Sequence, residues 1–227
     1  MDNIKYIILD FGKVIAAPTT GNWFITPKFI ELIDMNKIDI SEFNKKAKFF
    51  DSILSRRVRT EEEEYLMFFE FYQNILNSIG YDASRDIIQK IAEDITYNSS
   101  KYTFYPNIEE ELIELSSKYT LLMLTDNWPC VRRILKEKGL DKYFKKIYVS
   151  SEVGCEKKDG IFFDYPIQDF RINPGEGLFI DDNESLLDIA SSKGLDTRLM
   201  VRGANKMVVS NHPIINSLYE IFNIKTL

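Results

Sequence analysis

Four apolar runs in this chain each end in residues that can do chemistry. Lys5-Tyr6-Ile7-Ile8-Leu9 leads into Asp10, and the run over 119–124 leads into Thr125-Asp126. Ile147-Tyr148-Val149 leads into Ser150 and then Lys157, and Gly177-Leu178-Phe179-Ile180 into Asp181-Asp182. Taken singly, an Asp or Thr after such a run is ordinary turn chemistry. The ordered set is different, because it delivers a carboxylate, a hydroxyl, an ammonium and a second pair of carboxylates from four similar elements. If the run ends lie side by side, adjacent acids repel one another unless a cation stands between them. The set therefore describes an anionic site that wants positive charge.

An unbroken apolar run reads as a strand buried on both faces, the habit of parallel sheets. In open α/β sheets ligands sit outside the carboxyl ends of the strands, which is where these residues fall. Helical periodicity alternates with the runs over 108–118, 130–138, 162–169, 186–193 and 214–222, and such alternation predicts a doubly wound parallel α/β sheet. Between the first two runs the chain loses strand character and shows four helical patterns, over 27–35, 40–57, 60–78 and 84–97. Thr60 with Glu63 reads as a capping box, 61–64 as a solvated acidic helix start, and Gly80 as a stop. Phe49, Phe50, Phe68, Phe69, Phe71 and Tyr72 read as the core of a helical bundle. The chain divides into a Rossmann-like core, 1–16 and 99–227, and an inserted helical cap, 17–98. Residues 19–23 are candidates to line the site, with Trp23 available for stacking.

Composition narrows the function. At 227 residues, 44% hydrophobic, the chain can bury a real core, and the 29 Lys and Arg against 35 Asp and Glu argue against general nucleic-acid binding. No stretch approaches the roughly 20 apolar residues of a membrane span, and Met1-Asp2-Asn3 is not a basic signal sequence, so a cytoplasmic protein is expected. Cys130 and Cys155 read as reduced thiols. The single histidine, His212, excludes chemistry that needs a His pair or a multi-histidine zinc site; it reads as a surface loop residue.

The motif set resembles the haloacid dehalogenase-like (HAD) superfamily, most of whose members are magnesium-dependent phosphohydrolases. The resemblance runs from Asp10 through the cap-like insertion, Tyr105-Pro106-Asn107, Gly154-Cys155-Glu156-Lys157 and Phe179-Ile180-Asp181-Asp182-Asn183. It points to the helical-cap type, C1 or subfamily I. It implies that Asp10 is a nucleophile forming an aspartyl-phosphate and that Thr125, with the amide of Asp126, binds the phosphoryl group. Lys157 would neutralise charge, and Mg2+ would be held by Asp10, Asp182, Asp181 and the carbonyl of Gly12. The implied partner is a small, sugar phosphate-like metabolite met by a monomer or homodimer.

Three departures matter. The family usually carries a second Asp two residues after the nucleophile as general acid and base; here Gly12 stands there, as in an Asp-x-Gly-x-Val subset matching Asp10-Phe11-Gly12-Lys13-Val14. Leaving groups that need little protonation, such as anomeric, acyl or phenolic phosphates, should suffer least. Lys157 is followed by Lys158 rather than proline, so either could be the catalytic lysine, with the spacing from Gly154 favouring Lys157. Asp126 replaces a frequent Asn; Lys13 reads as a solvated loop charge, with an offset to Asp126 as the alternative. Two rival readings remain, a metal-independent 2-haloacid dehalogenase-like hydrolase and a catalytically weak phosphate-binding regulator.

Overall fold

The computed structural model describes residues 3–203 and 208–222. In chain order the elements are β1 (Tyr6–Leu9), β2 (Ala16–Pro18), α1 (Pro27–Leu32), α2 (Ile40–Phe49), α3 (Asp51–Leu54), α4 (Glu61–Ser78) and α5 (Arg85–Tyr97). There follow β3 (Tyr102–Phe104), α6 (Ile108–Ser116), β4 (Thr120–Thr125), α7 (Cys130–Glu137), β5 (Phe144–Val149) and α8 (Ser150–Val153). The chain continues through α9 (Asp164–Phe170), β6 (Gly177–Asp181), α10 (Glu184–Ser192), β7 (Asp196–Met200) and β8 (Ile214–Ile215). Six strands pair in parallel in the order β5-β4-β1-β6-β7-β8, the α/β architecture expected.

The unbroken apolar runs follow from burial on both faces. Ile7, Leu9, Leu121, Met123, Leu178 and Ile180 pack into one core layer, while Ile8, Leu122, Leu124 and Phe179 face a second layer on the opposite side. Successive side chains alternate between the two, so neither face can be polar. The chain leaves β1 for β4 and β5 on one side and fills β6, β7 and β8 on the other. The tip of β1 is therefore the topological switch point, where an open sheet leaves a crevice.

Helices α1–α5 enclose their own core, including Phe29, Phe43, Phe68, Phe71, Tyr72, Ile75 and Ile91. Thr60 caps α4 by accepting from Glu63 N at 3.2 Å, but Glu63 Oε2 accepts from Arg59 N rather than completing the box at Thr60. Gly80 ends that helix at φ 73°, a left-handed position that favours glycine. The bundle joins the sheet at both ends of the insertion, where β2 and β3 pair antiparallel.

Several expectations need correction. The helix expected over 40–57 breaks at Phe50 into α2 and α3. The pattern over 214–222 is a short strand and a 3-10 turn, because Ile214–Ile215 extends the sheet beyond β7. Phe49 is 76% exposed rather than core. Glu64 is fully buried, not part of a solvated helix start; its Oε2 accepts from Cys130 N at 2.8 Å at the start of α7. His212 is buried too, its ring between Thr197 Oγ1 at 2.7 Å and Asp188 Oδ1 at 3.0 Å, which braces the C-terminal loop against β7 and α10. Both cysteines are free thiols. No helix among the described residues is long and apolar enough to cross a membrane.

Candidate active site

Register builds the site. Leu9 lies level with Met123 on β4 and Ile180 on β6, so one further step sets Asp10 beside Asp181 and close to Thr125, the last residue of β4. Asp10 N donates to Ile180 O at 3.0 Å and closes the ladder at its last rung. The chain then folds back tightly, with Phe11 O accepting from Ile15 N at 2.9 Å and Ala16 N at 3.1 Å. Lys13 in that turn takes a left-handed φ of 53°. Its ammonium reaches Asp182 Oδ2 at 2.8 Å, not Asp126.

Lys157 arrives from the loop beyond β5. Glu156 and Asp159 cap a short 3-10 turn reciprocally, and Lys157 N donates to Asp126 Oδ1 at 3.0 Å. The buried ammonium lies 2.9 Å from Asp10 Oδ1 and 2.6 Å from Asp181 Oδ2. Burial opposes that charge, yet Asp10 and Asp181, with Asp126 behind them, hold Lys157 protonated well above the usual lysine range. Lys158 turns outward to Asp51 and Glu156. Of the two adjacent lysines, only Lys157 touches Asp10 and Asp181.

The negative charge exceeds what Lys157 can neutralise. Oxygen atoms of Asp10, Asp181 and Asp182 all lie within 4.8 Å of one another. Burial pushes the Asp181 carboxyl up, Lys157 pulls it back, and Asp10 adds to the rise. Asp126 is exposed to the cavity, yet the protein atoms around it desolvate its carboxyl enough to push it up to about 6, with Lys157 opposing and Asp10 contributing. An all-oxygen donor set with surplus negative charge fits Mg2+, which takes oxygen ligands and keeps several waters.

Asp10, Gly12, Thr125, Asp126, Lys157, Asp181 and Asp182 all line one cavity of about 600 Å³. Its other wall is aromatic, formed by Trp23, Phe24, Phe68, Tyr102 and Trp128. Of residues 19–23 only Trp23 reaches this cavity. Ser150, at the tip of β5, lies outside it; its hydroxyl accepts from Asn127 N at 3.2 Å and braces the loop after β4.

Sequence reasoning missed Asn127, Trp128, Tyr102 and Lys101, which also line the cavity. Asn127 and Trp128 follow directly on Thr125-Asp126, so extending the strand-tip rule by two residues would have found them. Lys101 carries no such signal. It is a buried lysine at the end of the insertion, donating to Ile95 O and lying 3.1 Å from Cys130 Sγ.

Known proteins share this fold. The family model for haloacid dehalogenase-like hydrolases matches residues 4–194. D-ribitol-5-phosphate phosphatase of Bacteroides thetaiotaomicron is 30% identical over 101 residues, covering 41% of this chain and 49% of that relative. The match thus spans about half the length of this curated relative. Among solved structures, the magnesium-bound HAD-hydrolase YfnB of Bacillus subtilis is similar with a TM-score of 0.66 at 17% identity, over 97% of this chain and 98% of that one. The 2-haloacid dehalogenase of Pseudomonas syringae is similar with a TM-score of 0.65 at 17% identity, over 97% of each chain. Likeness at these identities is likeness of fold. Because the family match begins at the approach to β1 and runs past α10, taking in every strand tip that lines the cavity, the chain belongs to the haloacid dehalogenase-like hydrolases.

Proposed function

We propose that this chain is a magnesium-dependent phosphohydrolase acting on a small, sugar phosphate-like metabolite through an aspartyl-phosphate on Asp10. The observation that carries the reading is the convergence of Asp10, Asp181 and Asp182 within 4.8 Å. Lys157 and Lys13 together leave the three carboxylates with one negative charge in excess, which a divalent cation would offset and a metal-independent dehalogenase would leave uncompensated. The partial likeness to a ribitol phosphate phosphatase supports the same choice. In this reading 1–16 and 99–227 form the catalytic core, and 17–98 is the cap that excludes water and selects the substrate.

Asp10 attacks phosphorus, the bond to the leaving oxygen breaks, and the released alkoxide takes its proton from solvent. Water then attacks the phosphorus of the aspartyl-phosphate, returning the Asp10 carboxylate and inorganic phosphate. Lys157, fixed between Asp10 and Asp181, offsets the charge of the approaching phosphoryl group. Thr125, held at the end of β4, donates its hydroxyl to a phosphoryl oxygen together with the amide of Asp126. Asp10, Asp182, Asp181 and the Gly12 carbonyl would hold Mg2+, which supplies Lewis-acid stabilisation of the transferring group.

Hydrolysis of p-nitrophenyl phosphate, measured with Mg2+ and with chelator, tests the reading. Turnover should require the metal, and Asp10→Asn should lower it by about a thousandfold or more while the fold persists. Activity in chelator on a 2-haloacid, with none on phosphates, would favour the dehalogenase reading. Residual phosphatase activity of Asp10→Asn within about tenfold of wild type would remove Asp10 as nucleophile.

A further inference from the structure

Gly12 stands where the family places its acid, and the space above it is already taken. A methyl carbon built on Gly12 would lie 3.1 Å from Trp23 Cη2, 3.3 Å from Trp23 Cζ2 and 3.4 Å from Asp10 Oδ2. The first two separations are below ordinary carbon contact, so the indole would have to give way. An aspartate would press on the indole with its Cβ alone and has a carboxyl to place besides. Trp23 is 36% exposed, so it is held by its aromatic neighbours rather than by full burial. It packs edge to face on buried Tyr102 with ring centroids 6.0 Å apart, and Tyr102 packs in the same manner on Phe11 at 5.0 Å. Phe11 lies between Asp10 and Gly12, so the indole is tied back to the loop that carries the nucleophile.

Trp23 also borders a second depression, shared with Asn22, Phe24, Asn44 and Leu54 on the helical side. The indole is therefore a partition with the nucleophile's cavity on one side and this outer groove on the other. A substrate whose phosphoryl group sits against Asp10, beside the Asp10–Lys157 ion pair, has the aromatic wall of the same cavity to receive its remaining part.

Resting on the phosphohydrolase reading above, we propose that Trp23 is a specificity-determining residue: it fills the space of the missing acid and forms the wall on which the leaving group lies, selecting esters with a ring or an apolar face. The site thereby exchanges proton delivery for shape and apolar contact. Substrates would be recognised by how well the group beyond the bridging oxygen covers the indole.

Two esters of different bulk separate this role from a structural one. With p-nitrophenyl phosphate, which carries a ring, Trp23→Ala should raise KM about tenfold and leave kcat within about threefold. With acetyl phosphate, which carries none, KM should stay within about twofold, and Trp23→Phe should restore most of the loss on the ring substrate. Equal losses on both esters would overturn the proposal. A second measurement needs no turnover. Gly12→Ala should lower Tm by about 2–4 °C, the shift of roughly 1 kcal/mol in a domain of this size, and the same substitution in a Trp23→Ala background should lower it by much less. Additive shifts would show that the indole does not fill the space above Gly12. If the wild-type protein turns over neither ester with Mg2+, the phosphohydrolase reading fails and the substrate role of Trp23 falls with it, while the Tm cycle still decides the packing.

Discussion

Lys13 Nζ lies 2.8 Å from Asp182 Oδ2, with both side chains partly open to solvent. The outermost carboxylate of the acidic trio therefore already has a cation of its own, supplied by the turn that follows Asp10. Lys13 is held protonated above the usual lysine range, chiefly by that hydrogen bond. A divalent ion sharing Asp182 must work against this ammonium.

Lys13→Met should consequently tighten Mg2+ binding. The gain expected is about twofold to fivefold, in the range of a partly exposed pair screened by water. Titrating the thermal shift with Mg2+ measures it, and weaker binding in the variant would show that Lys13 organises the site rather than competing for it.

Gly12→Asp should not install the missing acid. Its Cβ alone would stand 3.1 Å from the indole, so kcat/KM on p-nitrophenyl phosphate should fall by about tenfold or more, whereas Gly12→Asp combined with Trp23→Ala should recover part of the loss. Rates across a series of esters supply the check. A steep fall with leaving-group pKa in wild type, unchanged in the single variant, is the expected outcome; a gain on alkyl esters from Gly12→Asp alone would contradict it.

Asp126 links the site to pH. Its carboxyl is pushed up to about 6, chiefly by desolvation at the cavity wall, so it is neutral below that value and adds a negative charge beside the proposed phosphoryl position above it. Competitive inhibition by inorganic phosphate should therefore weaken as pH rises through about 6, beyond the change due to phosphate's own ionisation. Asp126→Asn should remove this extra dependence. Parallel pH profiles in the two proteins would assign the dependence elsewhere.

Glu64 links folding to pH. Its carboxyl is raised from 4.5 to about 7, chiefly by burial and against the pull of Lys101. An acid whose folded pKa lies above its unfolded value holds its proton more tightly when folded, so its stabilising effect is lost as pH rises from about 4.5 to about 7. Glu64→Gln cannot ionise and retains an oxygen for Cys130 N. Its Tm relative to wild type should rise between pH 5 and pH 8; a relative fall would mean that the ionised carboxylate is the stabilising form.

Much of this site is legible from the sequence because a parallel sheet concentrates its chemistry at strand tips. Asp10, Thr125 and Asp181 each end a run with no polar residue to interrupt it, and the fold then has one place to put them. What escaped notice lies where local pattern and tertiary burial part company. The strand Asp196–Met200 carries Asp, Thr and Arg, so it lacks the apolar signature of the inner strands. Ile214–Ile215 is too short to show a period, and its pairing with β7 comes from distant residues. Glu64 and His212 look solvated in sequence because their partners, Cys130, Thr197 and Asp188, lie far along the chain. The contact between Trp23 and Gly12 has no signature at all, since glycine announces only the side chain it lacks.

The pairing of β2 with β3 has an evolutionary and practical meaning. Ala16 lies opposite Phe104 and Pro18 opposite Tyr102, so the chain leaves for the helices and returns from them at neighbouring positions on one ribbon. Antiparallel partners stand only about 4.5–5.5 Å apart. An insertion whose two ends are so close is a cassette: another bundle with the same end spacing could be spliced between Pro18 and Tyr102 without asking any strand of the large sheet to move. Recombination at this ribbon would exchange Trp23 and Phe68, and with them the aromatic wall of the cavity, while handing on Asp10, Thr125, Lys157, Asp181 and Asp182 as an unbroken inheritance.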